Sequence, residues 1–319
     1  MTGPEPHSMK VSIMMCAYNT SAYIREAIES ILAQTYSNWE LIIGDDCSTD
    51  DTAAIIKSYL VDKRIKLIAH KTNMGYIKNK NSIFTAATGE LLTQLDADDT
   101  CPPDRIEKQV AVFEAYPEMK ICGSNYKTID TTGNTLETFY YDQDFVINEL
   151  LRPYPFWYPG MMFRKEIVDE FGLFSEYFDS IYGDDNYYVY RINSKYPIYF
   201  IKEPLYYYRI HPTSITNIHD QPRKLIADDI LKELFTQRKN TGTDWLEEQQ
   251  YDKMKAYENK LFNNKRLMAE KYRIWAAKAI DNNNWPQARF FLKKSMSLSL
   301  ANTRTYATLS YYLRNKFLK

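Results

Sequence analysis

VSIMMCAYN (residues 11–19) and ATGELLTQLDADD (residues 87–99) are the two stretches that decide the expected fold. Each contains a short apolar run of strand length that passes abruptly into polar or acidic residues. Helical patterns at 22–34, 50–59 and 81–88 separate these runs from each other and from two further strand-like runs. Strands that alternate with helices in this way predict a parallel sheet of βαβ units, which is an α/β fold.

Polar clusters follow three of the predicted strands. They are Tyr18-Asn19 after the first strand, Asp45-Asp46 after WELIIG, and Asp96–Asp99 after ELLTQL. In open α/β sheets, ligands bind beyond the carboxyl ends of the strands. The sequence therefore predicts a ligand site at this edge of the sheet.

The run Asp96-Ala97-Asp98-Asp99 places three carboxylates within four residues. Like charges this close repel one another, so a second feature must offset their repulsion. A hard divalent cation, Mn²⁺ or Mg²⁺, does so and prefers oxygen ligands shared with phosphates. The alternative is that Asp98 or Asp99 caps a helix that begins near Pro103.

The composition excludes several classes of protein. The 319 residues carry 40 lysines and arginines against 41 aspartates and glutamates, so no overall field favours nucleic acid as a partner. No apolar run approaches the about 20 residues that span a bilayer, and the N-terminus lacks the pattern of a secretory signal. Four widely spaced cysteines without a CxxC pair fit a reduced, cytoplasmic chain. The 27 tyrosines suit stackable polar ligands such as nucleotides and sugars.

The chain divides into three expected parts. Residues 1–8 precede a second methionine and are interpreted as the remnant of an expression tag. Residues 9–216 are expected to form one α/β domain, with a mixed sheet and long loops in its second half. Residues 217–319 form a helical region, in which helices are predicted at 222–238, 244–281, 286–295 and 303–317.

Seven stretches resemble, in their order and spacing, those of family 2 glycosyltransferases with the GT-A fold. They are VSIMMCAYN, QTYSNWELIIGDDCSTD, NMGYIKNKN, ATGELLTQLDADD, GMMFRKEIVDEFGLFSEYF, YGDDNYYVYRI and YYYRIHPTSIT. The resemblance implies a Rossmann-like, mostly parallel central sheet flanked by helices, followed here by a helical appendage. It also implies a metal-dependent, inverting transfer of a sugar from a nucleotide diphosphate, expected to be UDP, to a hydroxyl of a glycan.

The resemblance assigns the donor contacts residue by residue. Tyr18 matches the ring that stacks on the base, and Asp46 matches the acid that accepts the uracil N3–H, with Asp45 as a weaker candidate beside it. Lys80 matches a diphosphate contact where relatives commonly carry arginine. Because lysine lacks the bidentate guanidinium group, we expect a weaker contact with the diphosphate. The structural alternatives are that Tyr18 is a core tyrosine at the end of a strand, that Asp45 only forms a turn, and that Lys80 is a solvated lysine on a helix.

The acidic run is implied to hold both the ribose and the metal. Asp98 and Asp99 are the residues chosen for these contacts, with Asp96 supporting them on the nucleotide side. His211 matches a histidine that completes the metal shell in some relatives; the alternative is a structural or exposed histidine. The implied cofactor is Mn²⁺ or Mg²⁺.

Asp185 is implied to be the catalytic base. It belongs to an acidic pair that precedes an aromatic-rich helix, and Asp184 stands where a glutamate is more often found. Asp184 is expected to contact the substrate. The alternative is that both aspartates only cap the helix. The implied acceptor is a glycan or a lipid-linked glycan in bacterial surface polysaccharide or lipopolysaccharide synthesis.

The C-terminal end is basic. From Asn282 to Lys319 there are seven lysines and arginines and no acidic residue, interleaved with aromatic and aliphatic residues. We expect these helices to dock on an anionic membrane, on its cytoplasmic face. The alternative is a helical hairpin packed on the catalytic domain with a solvated basic face.

Two other functions remain open from the sequence. A sugar nucleotidyltransferase shares the nucleotide and the metal, but it usually has a Gly-rich, Arg-bearing loop that VSIMMCAYNTSAY lacks. A catalytically silent glycan-binding relative is disfavoured because Asp96, Asp98, Asp99 and Asp185 are all present.

Overall fold

The structure, a computed structural model, describes residues 8–139, 145–147, 160–179, 181–211 and 221–317. The chain forms two compact units, one of Met1–Asp179 with Gly183–Ser214 and one of Ser180–Tyr182 with Ile215–Lys319. Residues 1–7 of the predicted tag remnant and the predicted boundary at 216 lie outside the described residues.

The first unit alternates strands and helices along most of its length. Its strands are β1 Val11–Ala17, β2 Trp39–Asp45, β3 Ile65–Ala69, β4 Leu91–Gln94, β5 Ile121–Ile129, β6 Thr135–Phe139, β7 Phe145–Ile147, β8 Met162–Arg164 and β9 Ile198–Arg209. Its helices are α1 Ile24–Leu32, α2 Thr52–Ser58, α3 Tyr76–Thr85, α4 Arg105–Ala115, α5 Glu166–Phe171 and α6 Asp184–Asn193.

The described strands form one sheet in the order β3-β2-β1-β4-β8-β5-β9-β7, with β6 beside β5. The first four strands are mutually parallel. Strand β8 pairs antiparallel with both β4 and β5, while β5 and β9 are parallel to each other. The predicted α/β class is confirmed, and so is the mixed sheet predicted for the second half of this unit.

The core explains why the sheet forms where the apolar runs lie. Strands β1 and β2 are buried along their whole length, and α1 buries Ile24, Ala27, Ile28 and Ile31 against them. Because β1 pairs with β2 in a register that sets Ala17 beside Asp45, the residues that follow both strands emerge side by side. The predicted polar edge is a direct consequence of this register.

Helix α3 begins earlier than predicted, at Tyr76 rather than at 81. The Asp46 carboxylate accepts hydrogen bonds from the backbone N–H groups of Met74 (2.7 Å) and Gly75 (3.0 Å), and Gly75 has a φ of +91°. These contacts fix the turn that starts the helix. The prediction missed them because they join residues far apart in the sequence.

The second unit is helical, as predicted. Its helices are α7 Ala227–Thr241, α8 Tyr251–Asn263, α9 Lys265–Asp281, α10 Trp285–Leu298 and α11 Thr303–Phe317, and a 3₁₀ turn at Pro222–Ile226 precedes α7. The single long helical tract predicted at 244–281 is wrong in one respect, since it is divided into α8 and α9. Asn264 caps α9 by accepting a hydrogen bond from the Leu267 N–H (3.0 Å).

Across the residues that the structure describes, no helix combines the length and the apolar character needed to cross a bilayer.

Replacement of Gly89 by alanine, at the junction of β1 and β4, is predicted to destabilise the fold. A Cβ there meets the Ser12 backbone N at 2.6 Å and the Lys10 carbonyl O at 2.7 Å, so the backbone itself has to move. We expect Gly89→Ala to lower the free energy of unfolding by ~1–3 kcal/mol in urea titrations. Gly123→Ala is the matched control, because its Cβ meets nothing closer than 3.6 Å. Equal stability of the two variants would contradict this interpretation.

Candidate functional site

The loops that follow β1 and β2 are tied together at the carboxyl edge of the sheet. Asn19, with a φ of +52°, accepts a hydrogen bond from the Thr49 N–H at 2.8 Å, and its own N–H donates to the Ser48 hydroxyl at 3.0 Å. Tyr18, just before it, leaves 48% of its surface exposed. An exposed aromatic ring beside a fixed turn at a sheet edge is suited to stacking against a planar ligand.

Asp45 ends β2 and Asp46 follows it. Both are buried, and they differ in what they bind. Asp46 is committed to the turn before α3 through both of its carboxylate oxygens. Asp45 accepts one hydrogen bond, from the Ser48 N–H to Oδ1 at 3.3 Å; in the described part of the chain its Oδ2 has no partner. The structure therefore favours Asp45 over Asp46 as the acceptor of a hydrogen bond from a ligand N–H group, whereas the sequence favoured Asp46. The role itself stays a prediction.

Strand β9 holds the acidic run in place. Asp99 is buried, and its oxygens accept hydrogen bonds from the Tyr206 hydroxyl (2.5 Å) and the Arg209 N–H (2.7 Å). The Arg209 guanidinium is also buried, and its Nε donates to the Asp98 carbonyl at 2.8 Å. Both oxygens of Asp99 thus have partners within the fold.

Asp98 and His211 form the more accessible pair. Asp98 Oδ2 lies 2.9 Å from His211 Nε2, and the His211 ring packs 4.7 Å from the ring of Tyr23. No group of three or more His, Cys, Asp or Glu residues that could hold a metal is found among the described residues. A cation here would take one oxygen and one nitrogen from the protein, with the remaining ligands supplied by phosphate oxygens and water. The geometry favours this pair over Asp99.

Asp96 is half-buried on the sheet side of the acidic run. It accepts a hydrogen bond from Gln94 Nε2 at 2.6 Å. Burial, together with the like charge of Asp98, raises the pKa of Asp96 to about 7. Burial and the charges of Asp98 and Asp96 likewise raise the pKa of Asp99 well above its usual range. The acidic run therefore resists carrying its full negative charge.

Lys80 and Asp184 form a buried ion pair. Lys80 Nζ lies 3.0 Å from Asp184 Oδ2, and the two residues are 1% and 7% exposed. The ammonium group also lies 3.7 Å from the centre of the Phe174 ring. This arrangement favours a supporting role for both residues, whereas the sequence predicted contacts with the donor. Those contacts remain predictions.

Asp185 differs from Asp184 in its surroundings. It is half-buried in the first turn of α6, where its Oδ1 accepts a hydrogen bond from the Asn186 N–H at 2.7 Å. Burial and the like charge of Asp184 raise the pKa of Asp185 to about 6, against the opposing effect of Lys80. A carboxylate with a pKa near the working pH is suited to taking up a proton.

The topology brings most of the predicted residues together. The buried thiol of Cys16 lies within electrostatic range of Lys80, Asp96, Asp184 and Asp46, and the charge of Asp185 acts on Asp96. These groups come from β1, the loop after β2, α3, the end of β4 and α6. One edge of the sheet thus gathers a carboxylate of raised pKa, a buried cation and several further carboxylates.

Sequence reasoning missed the residues that hold the site in shape. Tyr206 and Arg209 were inside the quoted run YYYRIHPTSIT, but only His211 was assigned a role there. The sequence also assigned no role to Gln94. Its side chain donates hydrogen bonds to Asp96 and to the Tyr76 hydroxyl (3.1 Å). An arginine and a glutamine inside apolar strands were the available signals, since burial of such groups requires partners.

Comparison with known proteins gives a family. The model of the family described as Glycosyl transferase family 2 matches residues 12–172, which is half of the chain. An uncharacterized glycosyltransferase of Haemophilus influenzae is 30% identical over 246 residues, covering 71% of this chain and 73% of that protein. The putative glycosyltransferase EpsE of Bacillus subtilis is 43% identical over 126 residues, covering 39% of this chain and 45% of EpsE.

Other similarities are narrower in sequence or rest on structure. The putative teichuronic acid biosynthesis glycosyltransferase TuaG of Bacillus subtilis is 33% identical over 130 residues, covering 40% of this chain and 51% of TuaG. The chain thus spans about half the length of EpsE and TuaG. Residues 1–349 of TarS from S. aureus, solved with UDP-GlcNAc, superimpose with a TM-score of 0.56 at 17% identity, covering 96% of this chain and 81% of that fragment. The shared fold is that of the GT-A glycosyltransferases.

The buried Lys80–Asp184 pair is predicted to be essential for stability. Lys80→Met removes one partner and leaves the other carboxylate buried without its cation, which typically costs ~3–5 kcal/mol. Lys78→Met is the matched control on the same helix, because Lys78 is half exposed and its contact with Glu176 is 3.8 Å long. Urea unfolding measures both variants, and we expect the control to change by less than ~1 kcal/mol. A loss for Lys80→Met as small as the control's would overturn the role of the pair.

Proposed function

The chain belongs to glycosyltransferase family 2, and from this premise we propose that it transfers a sugar from a UDP-sugar to a hydroxyl of a glycan. The single observation that carries the proposal is the placement of Asp185. It is a half-buried carboxylate of raised pKa, next to a buried ion pair and within electrostatic range of the acidic edge of the sheet.

The proposed donor is a UDP-sugar bound across the ends of β1 and β2. Structures of TarS hold UDP-GlcNAc and UDP. In this chain the exposed ring of Tyr18 is available to stack on a base, and Asp45 has a carboxylate oxygen available to accept an N–H. A single directional hydrogen bond of this kind discriminates against a base that lacks the donor.

Asp185 acts in this proposal as the general base. It removes the proton of the acceptor hydroxyl while the hydroxyl oxygen attacks the anomeric carbon of the donor, and the nucleoside diphosphate leaves. Direct displacement inverts the configuration, so an α-linked donor gives a β-linked product. Lys80 is a positioning residue: it holds Asp184 and opposes the rise in the pKa of Asp185.

Asp98 and His211 are proposed to hold the divalent cation. A carboxylate oxygen and an imidazole nitrogen in contact form a donor set that fits Mn²⁺ or Mg²⁺. When bound, such a cation supplies positive charge against the diphosphate. Asp99 is proposed to hold the acidic run in position, because both of its oxygens accept hydrogen bonds from Tyr206 and Arg209. Asp96 is proposed to lie on the nucleotide side of this pair.

The acceptor is proposed to be a glycan or a lipid-linked glycan in the assembly of a bacterial polysaccharide. This rests on the similarity to TuaG, a putative teichuronic acid biosynthesis glycosyltransferase that the chain matches over 51% of its length.

Asp185→Asn is predicted to abolish turnover while leaving the donor bound. The amide cannot accept the hydroxyl proton, so we expect release of UDP in the presence of acceptor to fall by ~10²-fold or more. In the unmodified protein, activity should decline as pH falls through about 6, where the base becomes protonated. Asp169→Asn, in the exposed acidic turn of α5, is the control. Near-normal turnover of Asp185→Asn would refute the assignment.

Asp98→Asn and His211→Ala are predicted to weaken Mn²⁺ binding in the presence of UDP. Each removes one of two protein ligands, so calorimetric titration should show a loss of affinity of about tenfold or more. Asp104→Asn, which removes a carboxylate just beyond the acidic run, serves as the control. If both test variants bind Mn²⁺ as the unmodified protein does, the cation lies elsewhere.

A further inference from the structure

The near-neutral net charge conceals a strong division of charge between the two units. The first unit contains 20 lysines and arginines against 30 aspartates and glutamates, a net −10. The second contains 20 lysines and arginines against 11 acidic residues, a net +9. An asymmetry of this size indicates that the second unit meets an anionic surface.

Helix α10 concentrates part of this charge on one face. Its inner side is buried, through Ala288, Phe291, Leu292 and Ser295. The opposite side carries the exposed residues Arg289, Phe290, Lys293 and Lys294, at the three- and four-residue spacing that aligns them along the helix. We call these four residues the α10 face.

The cations of the α10 face are not neutralised by the fold. Among the described residues, Arg289, Lys293 and Lys294 make no ion pair, and the chain has no acidic residue after Asp281. By contrast, Arg273 on α9 is paired with Glu270 at 2.7 Å. Three adjacent unpaired cations repel one another, and a surface of negative charge relieves that repulsion.

Apolar side chains are exposed on the α10 face and just beyond the end of the helix. Phe290 is 53% exposed, with the Lys294 ammonium 5.7 Å from its ring, and Leu300, just beyond the end of α10, is 71% exposed. A soluble polyanion offers nothing for such groups to bury into. The boundary between lipid headgroups and acyl chains does, and basic side chains beside aromatic and aliphatic ones are typical of interfacial helices.

We propose that the α10 face, with Leu300, docks this protein on the anionic headgroups of a lipid bilayer. Arg289, Lys293 and Lys294 contact lipid phosphates, and Phe290 and Leu300 enter the interface beneath them. The attraction acts within about a Debye length of the surface, so docking weakens as salt is added.

Vesicle sedimentation with the full chain, without donor or acceptor, tests the proposal. We expect binding to phosphatidylcholine vesicles that contain phosphatidylglycerol, little binding to pure phosphatidylcholine, and release by high salt. Absence of binding to the anionic vesicles, or equal binding to both kinds, overturns the proposal. Because no sugar transfer is measured, failure here is distinct from failure of the proposed enzymatic function.

Two sets of variants test the α10 face. Arg289→Gln/Lys293→Gln/Lys294→Gln should weaken binding to anionic vesicles by about tenfold or more, since each cation near the surface adds to the attraction. Lys253→Gln/Lys255→Gln/Lys260→Gln removes the same charge from exposed positions on α8 and should weaken it much less. Equal losses would show that docking does not use the α10 face.

Phe290→Ala/Leu300→Ala separates a bilayer from a soluble polyanion. Both residues are largely exposed, so the variant is expected to fold normally, which its circular dichroism and thermal unfolding would check. Binding to anionic vesicles should fall several-fold, while binding to a soluble polyanion such as heparin should be unchanged. If vesicle binding is also unchanged, Phe290 and Leu300 do not enter the bilayer and the proposal is wrong.

Discussion

The crowding of negative charge at the carboxyl edge of the parallel strands is the constraint on which the site depends. Asp46 and Asp96 meet there because β1, β2 and β4 are parallel and in register. Asp184 and Asp185 join them from the start of α6, where Asp184 pairs with Lys80. Lys80 is the buried cation among them, and it acts on Asp96, Asp184 and Asp185 together. The fold tolerates this edge because one buried positive charge opposes several partly neutralised carboxylates.

The same constraint separates the neighbouring aspartates by role. In the pair at the start of α6, Asp184 turns inward to the lysine, while Asp185 remains half-buried with a raised pKa. In the acidic run, Asp99 turns inward to Tyr206 and Arg209, while Asp98 faces His211. In each pair an inner carboxylate is fixed by hydrogen bonds, and its neighbour is the residue proposed to act on the cation or the acceptor. Buried side chains that are fixed by hydrogen bonds keep neighbouring functional groups oriented.

The two units differ in charge as well as in fold. The first unit is acidic and carries the residues proposed for donor binding and proton transfer. The second is helical and basic, and in it α9 packs against both α10 and α11. In α10, burial of one side of the helix leaves its cations on the other. A single chain of nearly neutral net charge thus presents two surfaces of opposite sign.

The sequence by itself determined the strand order along the chain, the polar edge and the family, because apolar periodicity and motif spacing are local properties. It also predicted α11 at the bounds that it has in the structure. The sequence predicted a later start for α3 and missed the division of the helical tract at Asn264. It also did not reveal that Lys80 pairs with Asp184, or that Tyr206 and Arg209 donate hydrogen bonds to Asp99. Only the tertiary structure decided which carboxylate of each pair is buried, because the partners that bury it lie about a hundred residues away in the sequence.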